Sequence, residues 1–159
     1  MKKLAFILVL AVFAASCGGN NDTSNANEPT APADTKTTEN GNPSYDPKRG
    51  EGKFTKVEVG ESLDVAKATN GEKVYSVKCS GCHKLSEERL VGPGWKGVTV
   101  RHTPEWIMNF STNTDAMLNK DPKAQAQLEI CLVRMPNQNL SDDDARNLYE
   151  FMRKVDGAK

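Results

Sequence analysis

Residues 79–83 read Cys79-Ser80-Gly81-Cys82-His83, and this pentapeptide decides how the rest of the chain is read. Two thiols three positions apart, followed at once by an imidazole, make the C-x-x-C-H pattern of a covalently attached c-type haem. Each thiol can form a thioether with one vinyl group of the porphyrin, and the adjacent imidazole then meets the iron as its proximal ligand. Paired cysteines also occur in zinc sites and thioredoxin-like redox sites. Zinc wants a second ligand pair, and the sequence has no other Cys-x-x-Cys and no His-x-x-His. A thioredoxin frame wants a strand before the motif, and none is legible there. The motif therefore implies one covalent haem c with its iron, held by Cys79, Cys82 and His83.

Toward the N-terminus, the 159-residue chain opens Met1-Lys2-Lys3 and has no polar residue from Leu4 to Ala15. That is the pattern of a secretory signal, assigned to residues 1–16. It is too short to span a membrane comfortably, which takes ~20 apolar residues. Haem attachment to C-x-x-C-H takes place outside the bacterial cytoplasm, so the signal and the motif predict the same exported compartment. Ala14-Ala15-Ser16-Cys17 resembles a bacterial lipoprotein processing site, with Ala14 where leucine is usual. Cys17 is expected to carry acyl chains, and several such chains make a stable anchor where one is marginal.

Residues 17–50 read as a lipid-anchored flexible linker. The stretch carries Pro29, Pro32, Pro43 and Pro47, has Tyr45 as its single aromatic residue, and lacks Val, Ile and Leu. Such a composition cannot bury enough apolar surface to offset its ordering entropy. Its root-mean-square reach is about 30 Å, enough for a tethered domain to swing between neighbouring partners. Residues 51–159 then form one small domain, whose limited core a large apolar cofactor would supplement. Lys plus Arg and Asp plus Glu each number 21. Losing Lys2 and Lys3 with the signal leaves 19 positive against 21 negative side chains, a formal −2. No basic run supports nucleic-acid binding.

The domain reads as nearly all helical. Lys53 to Val59 is a short extended arm. Thr69 and Glu72 stand three apart, as in a capping box, and open a helix that runs into Cys79. Three glycines and a proline between Gly92 and Gly97 forbid a regular helix there. Thr103 caps the next helix with Pro104 at its first position, and Trp106, Ile107 and Phe110 share its inner face. Asp121-Pro122 opens another by the same signal, with Ala124, Leu128, Cys131 and Leu132 on its apolar side, and Met135-Pro136 ends it. Ser141 and Asp144 start the last helix. Its buried stripe is Ala145, Leu148, Tyr149, Met152 and Val155, with Asp143, Asn147, Glu150 and Lys154 toward water.

A six-coordinate haem needs a second axial ligand, and the domain offers His102, Met108, Met117, Met135 and Met152. Most methionines fill cores. Met135 stands out because it lies in a loop between two helices and is followed by Pro136, so its thioether can turn toward the iron. Met117, also placed in a loop, comes second. His102 precedes a cap and reads as a surface or hydrogen-bonding residue. An open sixth position remains the other possibility.

Taken together, Gly71 to Tyr75, Cys79 to His83, Val91-Gly92-Pro93, Gly97-Val98 and Arg134-Met135-Pro136 through Leu140-Ser141-Asp142 give residues 69–155 a strong resemblance to class I, mitochondrial-type bacterial cytochromes c. The resemblance implies an all-α fold in which the first and last helices cross near Gly71 and Tyr149. It implies His83 and Met135 as axial ligands, with the Pro93 carbonyl holding the His83 ring. Trp95 departs from the family's usual leucine and is expected to pack at the haem edge. Cys131 is extra and is expected to be a small buried hydrophobe.

With both axial positions filled, the chain is expected to be a one-electron carrier rather than an enzyme, without a small-molecule substrate. The expected setting is a monomer anchored to a bacterial membrane at its periplasmic or extracytoplasmic face. There it would shuttle between redox partner proteins, a respiratory donor and a terminal oxidase or nitrogen-oxide reductase. Two other readings are a fixed haem subunit of a respiratory complex and a peroxidase-like or ligand-binding protein with an open sixth site. The single C-x-x-C-H argues against the latter.

Overall fold

Why the chain turns helical is plainest at its caps. In the computed structural model, which describes residues 45–159, each long helix begins where a side-chain oxygen takes a backbone N–H three residues on. Asp64 caps α1 (Val65–Lys78), Thr103 caps α3 (Pro104–Thr112), Asp121 caps α5 (Pro122–Cys131) and Ser141 caps α6 (Asp142–Val155). Two short helices, α2 (Val98–Arg101) and α4 (Thr114–Lys120), fill the turns between them. Ser141 and Asp144 form a full capping box, and Asp142, Asp143 and Asp144 in the first turn of α6 complement its dipole. The described residues contain no strand; the extended arm predicted over 53–59 carries no ladder. None of their helices is long and apolar enough to cross a membrane. The signal assigned to 1–16, Cys17 and linker residues 18–44 lie outside the described residues.

Helices α1 and α6 form the principal packing pair. They cross where α1 has no side chain. A Cβ on Gly71 would lie 2.5 Å from the Asn147 carbonyl carbon and 2.8 Å from Phe151 Cβ. Only glycine lets the two backbones come so close. The crossing expected beside Tyr149 is thus centred on Asn147 and Phe151. Ala145, Leu148, Tyr149 and Met152 are buried as the α6 pattern predicts, and Val155 packs against the core while staying partly exposed.

Four local expectations need correction. α1 begins at Val65, so Thr69 lies inside it and its hydroxyl donates to Val65 O at 2.8 Å. The Thr69–Glu72 spacing imitates a capping box, but Asp64 already satisfies the Lys67 N–H at the true start. α5 stops at Cys131, because Leu132 turns left-handed (φ 59°) and is 84% exposed rather than buried. Met117 sits in α4, not in a loop. Glu150 faces the interior and is fully buried. It accepts from Arg146 and Arg153, each at 2.6 Å, and from the Asp64 backbone N–H at 2.9 Å, which ties α6 to the cap of α1. A buried carboxylate needs such partners, since an unpaired one is very costly.

Composition also places the linker too far along the chain. Residues 45–50 pack on the helices. Tyr45 donates to the buried carboxylate of Asp121, which also accepts from Trp106 Nε1 at 3.1 Å. Asn109, buried in α3, donates from Nδ2 to Arg49 O and Phe54 O and accepts the Phe54 N–H, all at 2.9 Å. Polar side chains spread over α3 to α5 thus hold a segment that has no aliphatic residues of its own.

Candidate functional site

The C-x-x-C-H motif sits where α1 ends. Cys79 is the C-cap, its N–H donating to Tyr75 O at 2.9 Å. The chain then turns at once, with the Cys82 and His83 N–H groups donating back to Cys79 O at 3.0 and 2.9 Å. Tyr75 closes the turn by donating its hydroxyl to His83 O at 2.7 Å. Cys79 is buried and Cys82 exposed, and neither is in a disulfide. Burial pushes the Cys79 thiol up to about 11, so it stays protonated and unreactive as a free nucleophile at neutral pH.

The glycine-rich segment after the motif exists to meet His83. Val91 and Gly92 donate their N–H groups to Cys82 O at 3.2 and 2.9 Å. A Cβ on Gly92 would lie 2.8 Å from His83 Nδ1, so any side chain there would displace the ring. One residue on, Pro93 O lies 2.8 Å from His83 Nδ1. A carbonyl only accepts, so Nδ1 carries the proton and Nε2 keeps its lone pair for a metal. Burial lowers the His83 pKa, with the Pro93 bond opposing it, and the neutral form is the one that ligates. Trp95 packs beside this ring with centroids 5.5 Å apart and is 6% exposed, a packing residue as expected.

These groups face a cavity of about 490 Å³. Cys79, Cys82, His83, Pro93 and Met135 all line it, so five residues spread over positions 79–135 meet at one void. Its walls are largely apolar, including Trp95 and Val98, Ile107 of α3, Leu118 of α4 and Leu148 and Met152 of α6. A large, mostly apolar cofactor with two thiol attachments beside an imidazole fits such a chamber. Cys131 is half-buried in the wall.

The methionine candidates separate by position. Met117 is fully buried away from the cavity, and its sulfur accepts the Glu51 N–H at 3.0 Å. Met152 lines the wall from within α6, whereas Met135 belongs to an irregular stretch, residues 133–140, whose described contacts include no backbone–backbone hydrogen bond. That stretch is fastened by side chains. Arg134 donates to Asp115 Oδ1 at 3.0 Å and Asn119 Oδ1 at 3.1 Å, and Lys78 Nζ donates to Gln138 O at 2.9 Å.

His102, expected to be a surface or hydrogen-bonding residue, is half-buried. It lines the cavity, with its ring stacked on Trp106 at 3.9 Å. The available signal was its place directly before the Thr103 N-cap, a position whose side chain often packs back on the first turn of the helix.

A family model described as cytochrome c matches residues 68–156. Among solved structures, a cytochrome c from Rhodothermus marinus is 33% identical with a TM-score of 0.64, the match covering 66% of this chain and 90% of that one. An engineered cytochrome c from the same organism, Rma TDE, is 32% identical with a TM-score of 0.63 over the same shares of the two chains. The same engineered protein bound to a carbene intermediate is also 32% identical, with a TM-score of 0.60 and the same coverage. No curated protein matches significantly.

Proposed function

The chain belongs to the cytochrome c family and binds covalent haem c with its iron, and from that premise we propose a six-coordinate one-electron carrier that works tethered to a membrane. In this reading Cys79 and Cys82 would carry the thioethers, and His83 Nε2 and the Met135 sulfur would hold the iron. The observation that supports it best is the convergence of Cys79, Cys82, Pro93-oriented His83 and Met135 on one largely apolar cavity.

The haem supplies a reversible one-electron ferric/ferrous couple. The chain's residues set its conditions. Pro93 fixes the tautomer of His83 and raises its basicity toward iron. A thioether at Met135 favours the ferrous state, which places the potential high among c-type haems. Trp95, Leu118 and Leu148 exclude water from the walls, and Arg134 and Lys78 hold the Met135 stretch against the rest of the domain. With both axial positions taken, no substrate reaches the metal, so the protein is an electron-transfer protein.

The tether rests on composition. Cys17 is the lipidated residue, the signal before it directs export, and the Pro- and Asn-rich stretch after it spans the gap between the bilayer and the domain. Donor and acceptor are redox proteins that meet the domain transiently, at the small end of interface sizes.

Carbon monoxide tests the filled iron. The dithionite-reduced, haem-loaded protein is expected to show no adduct on rapid mixing, while Met135→Ala forms one at once. Fast binding to the wild type would overturn the six-coordinate reading.

A further inference from the structure

The His83 imidazole is held by more than its bond to Pro93. A single hydrogen bond fixes a direction and leaves the plane of the ring to its neighbours. Those neighbours are Gly92 and Trp95. A Cβ on Gly92 would lie 2.4 Å from His83 Cε1, so the backbone itself presses close to the ring. Trp95 packs against the ring with centroids 5.5 Å apart and planes tilted by 39°. The same indole meets Tyr75 of α1 at 4.9 Å and 57°. Tyr75 meets Phe151 of α6 at 5.5 Å and 41°. A row of four rings thus runs from α6 through α1 to the imidazole.

Neither end of this row is loose. Phe151 is buried, and its Cβ is one of the atoms at the Gly71 crossing. The Tyr75 hydroxyl donates to His83 O at 2.7 Å, so α1 holds the backbone of the residue whose ring Trp95 holds. Trp95 is tied on both sides, its N–H donating to Lys84 O and its carbonyl accepting the Val98 N–H, each at 2.9 Å. An aromatic contact has a preferred geometry, whereas the aliphatic contact of the leucine usual at this position is non-directional. We propose that Trp95 and Tyr75 are positioning residues, which lock the plane of the His83 ring, and with it the Pro93 hydrogen bond, to the α1–α6 crossing. A ring that cannot turn keeps its Nε2 lone pair aimed the same way in both oxidation states, so little rearranges when an electron passes. The proposal rests on His83 being an iron ligand and is indifferent to what holds the iron from the other side.

Proton exchange in the haem-loaded ferrous protein, followed by NMR, reads the lock. The His83 Nδ1 proton meets water only when the ring leaves Pro93 O, so its rate reports that local opening. The Leu148 and Tyr149 amides within α6 report opening of the helix pair as a whole. Trp95→Leu is expected to speed Nδ1 exchange on the order of tenfold more than it speeds those amides, the upper end of what one aromatic contact is worth. Trp95→Phe, which keeps a flat ring, is expected to recover most of the difference. Tyr75→Phe keeps the row and frees the His83 carbonyl, and it is expected to speed Nδ1 exchange roughly threefold, as one hydrogen bond would. Equal acceleration of ring and amide protons in Trp95→Leu, or no recovery in Trp95→Phe, would mean that Trp95 only fills space and would overturn the proposal. An unchanged rate in Tyr75→Phe would overturn it too, and that variant decides alone if Trp95→Leu does not load haem. Failure of His83 ligation would appear separately, in the wild type, as ring protons without the upfield shift that a porphyrin ring current imposes on an iron-bound imidazole.

Discussion

A Cys79→Ala, Cys82→Ala double variant stripped of haem is expected to lose its cooperative fold. The cavity that these cysteines face measures about 490 Å³. At the mutational cost of roughly 24 cal/mol per Å³, an unfilled void of that size would cost up to about 12 kcal/mol. Water entering its mouth makes that an upper bound. Whole domains are stable by only about 5–15 kcal/mol, so even half of this would leave little. The exposed walls would include Trp95, Ile107, Leu118, Leu148 and Met152, the innermost residues of four segments. Far-ultraviolet circular dichroism and thermal melting check the outcome, with reduced helix and no sharp transition expected. A melt as cooperative as that of the haem-loaded wild type would show that the helices close on themselves without the cofactor.

Gly71→Leu is expected to destabilise the haem-loaded domain by at least about 3 kcal/mol, the upper end for overpacking a core. The atoms a side chain would meet are the Asn147 backbone carbonyl and Phe151 Cβ, none of which can rotate away. Relief requires moving α1 off α6, and α1 ends in the Cys79–His83 turn, so the damage should reach the cavity. Denaturant titration followed at the haem absorbance measures it. Gly60→Ala, whose Cβ would sit 3.6 Å from Ser62 O, is the matched control and is expected to stay within about 0.5 kcal/mol of wild type. Equal stability of the two variants would mean that the α1–α6 crossing is slack.

The sequence was legible wherever the physics is local. Thr103, Asp121 and Ser141 act on N–H groups three residues ahead, so their helices could be read from the chain itself. The same rule misled at Thr69, because a matching spacing inside a helix cannot be told from one at its start until Asp64 is seen capping α1. Glu150 was unreadable for a different reason. One of its partners is the Asp64 backbone, 86 residues away, and no helical period reveals that an acidic residue on α6 serves the start of α1. Tyr45 to Gly50 likewise look like linker until the polar side chains of Asn109, Asp121 and Thr103 are found bonded to them. Within the site, the motif and Pro93 lie only ten residues apart, and the family resemblance already links them. The place of His102 in the cavity wall became visible only through its stacking on Trp106.

The central claim is that the iron lies between His83 and Met135, and the absorption spectrum of the oxidised, haem-loaded protein tests it most directly. A weak far-red charge-transfer band is expected in the wild type and should be absent from Met135→Ala. A wild type without that band, or a Met135→Ala variant that retains it, would contradict the assignment.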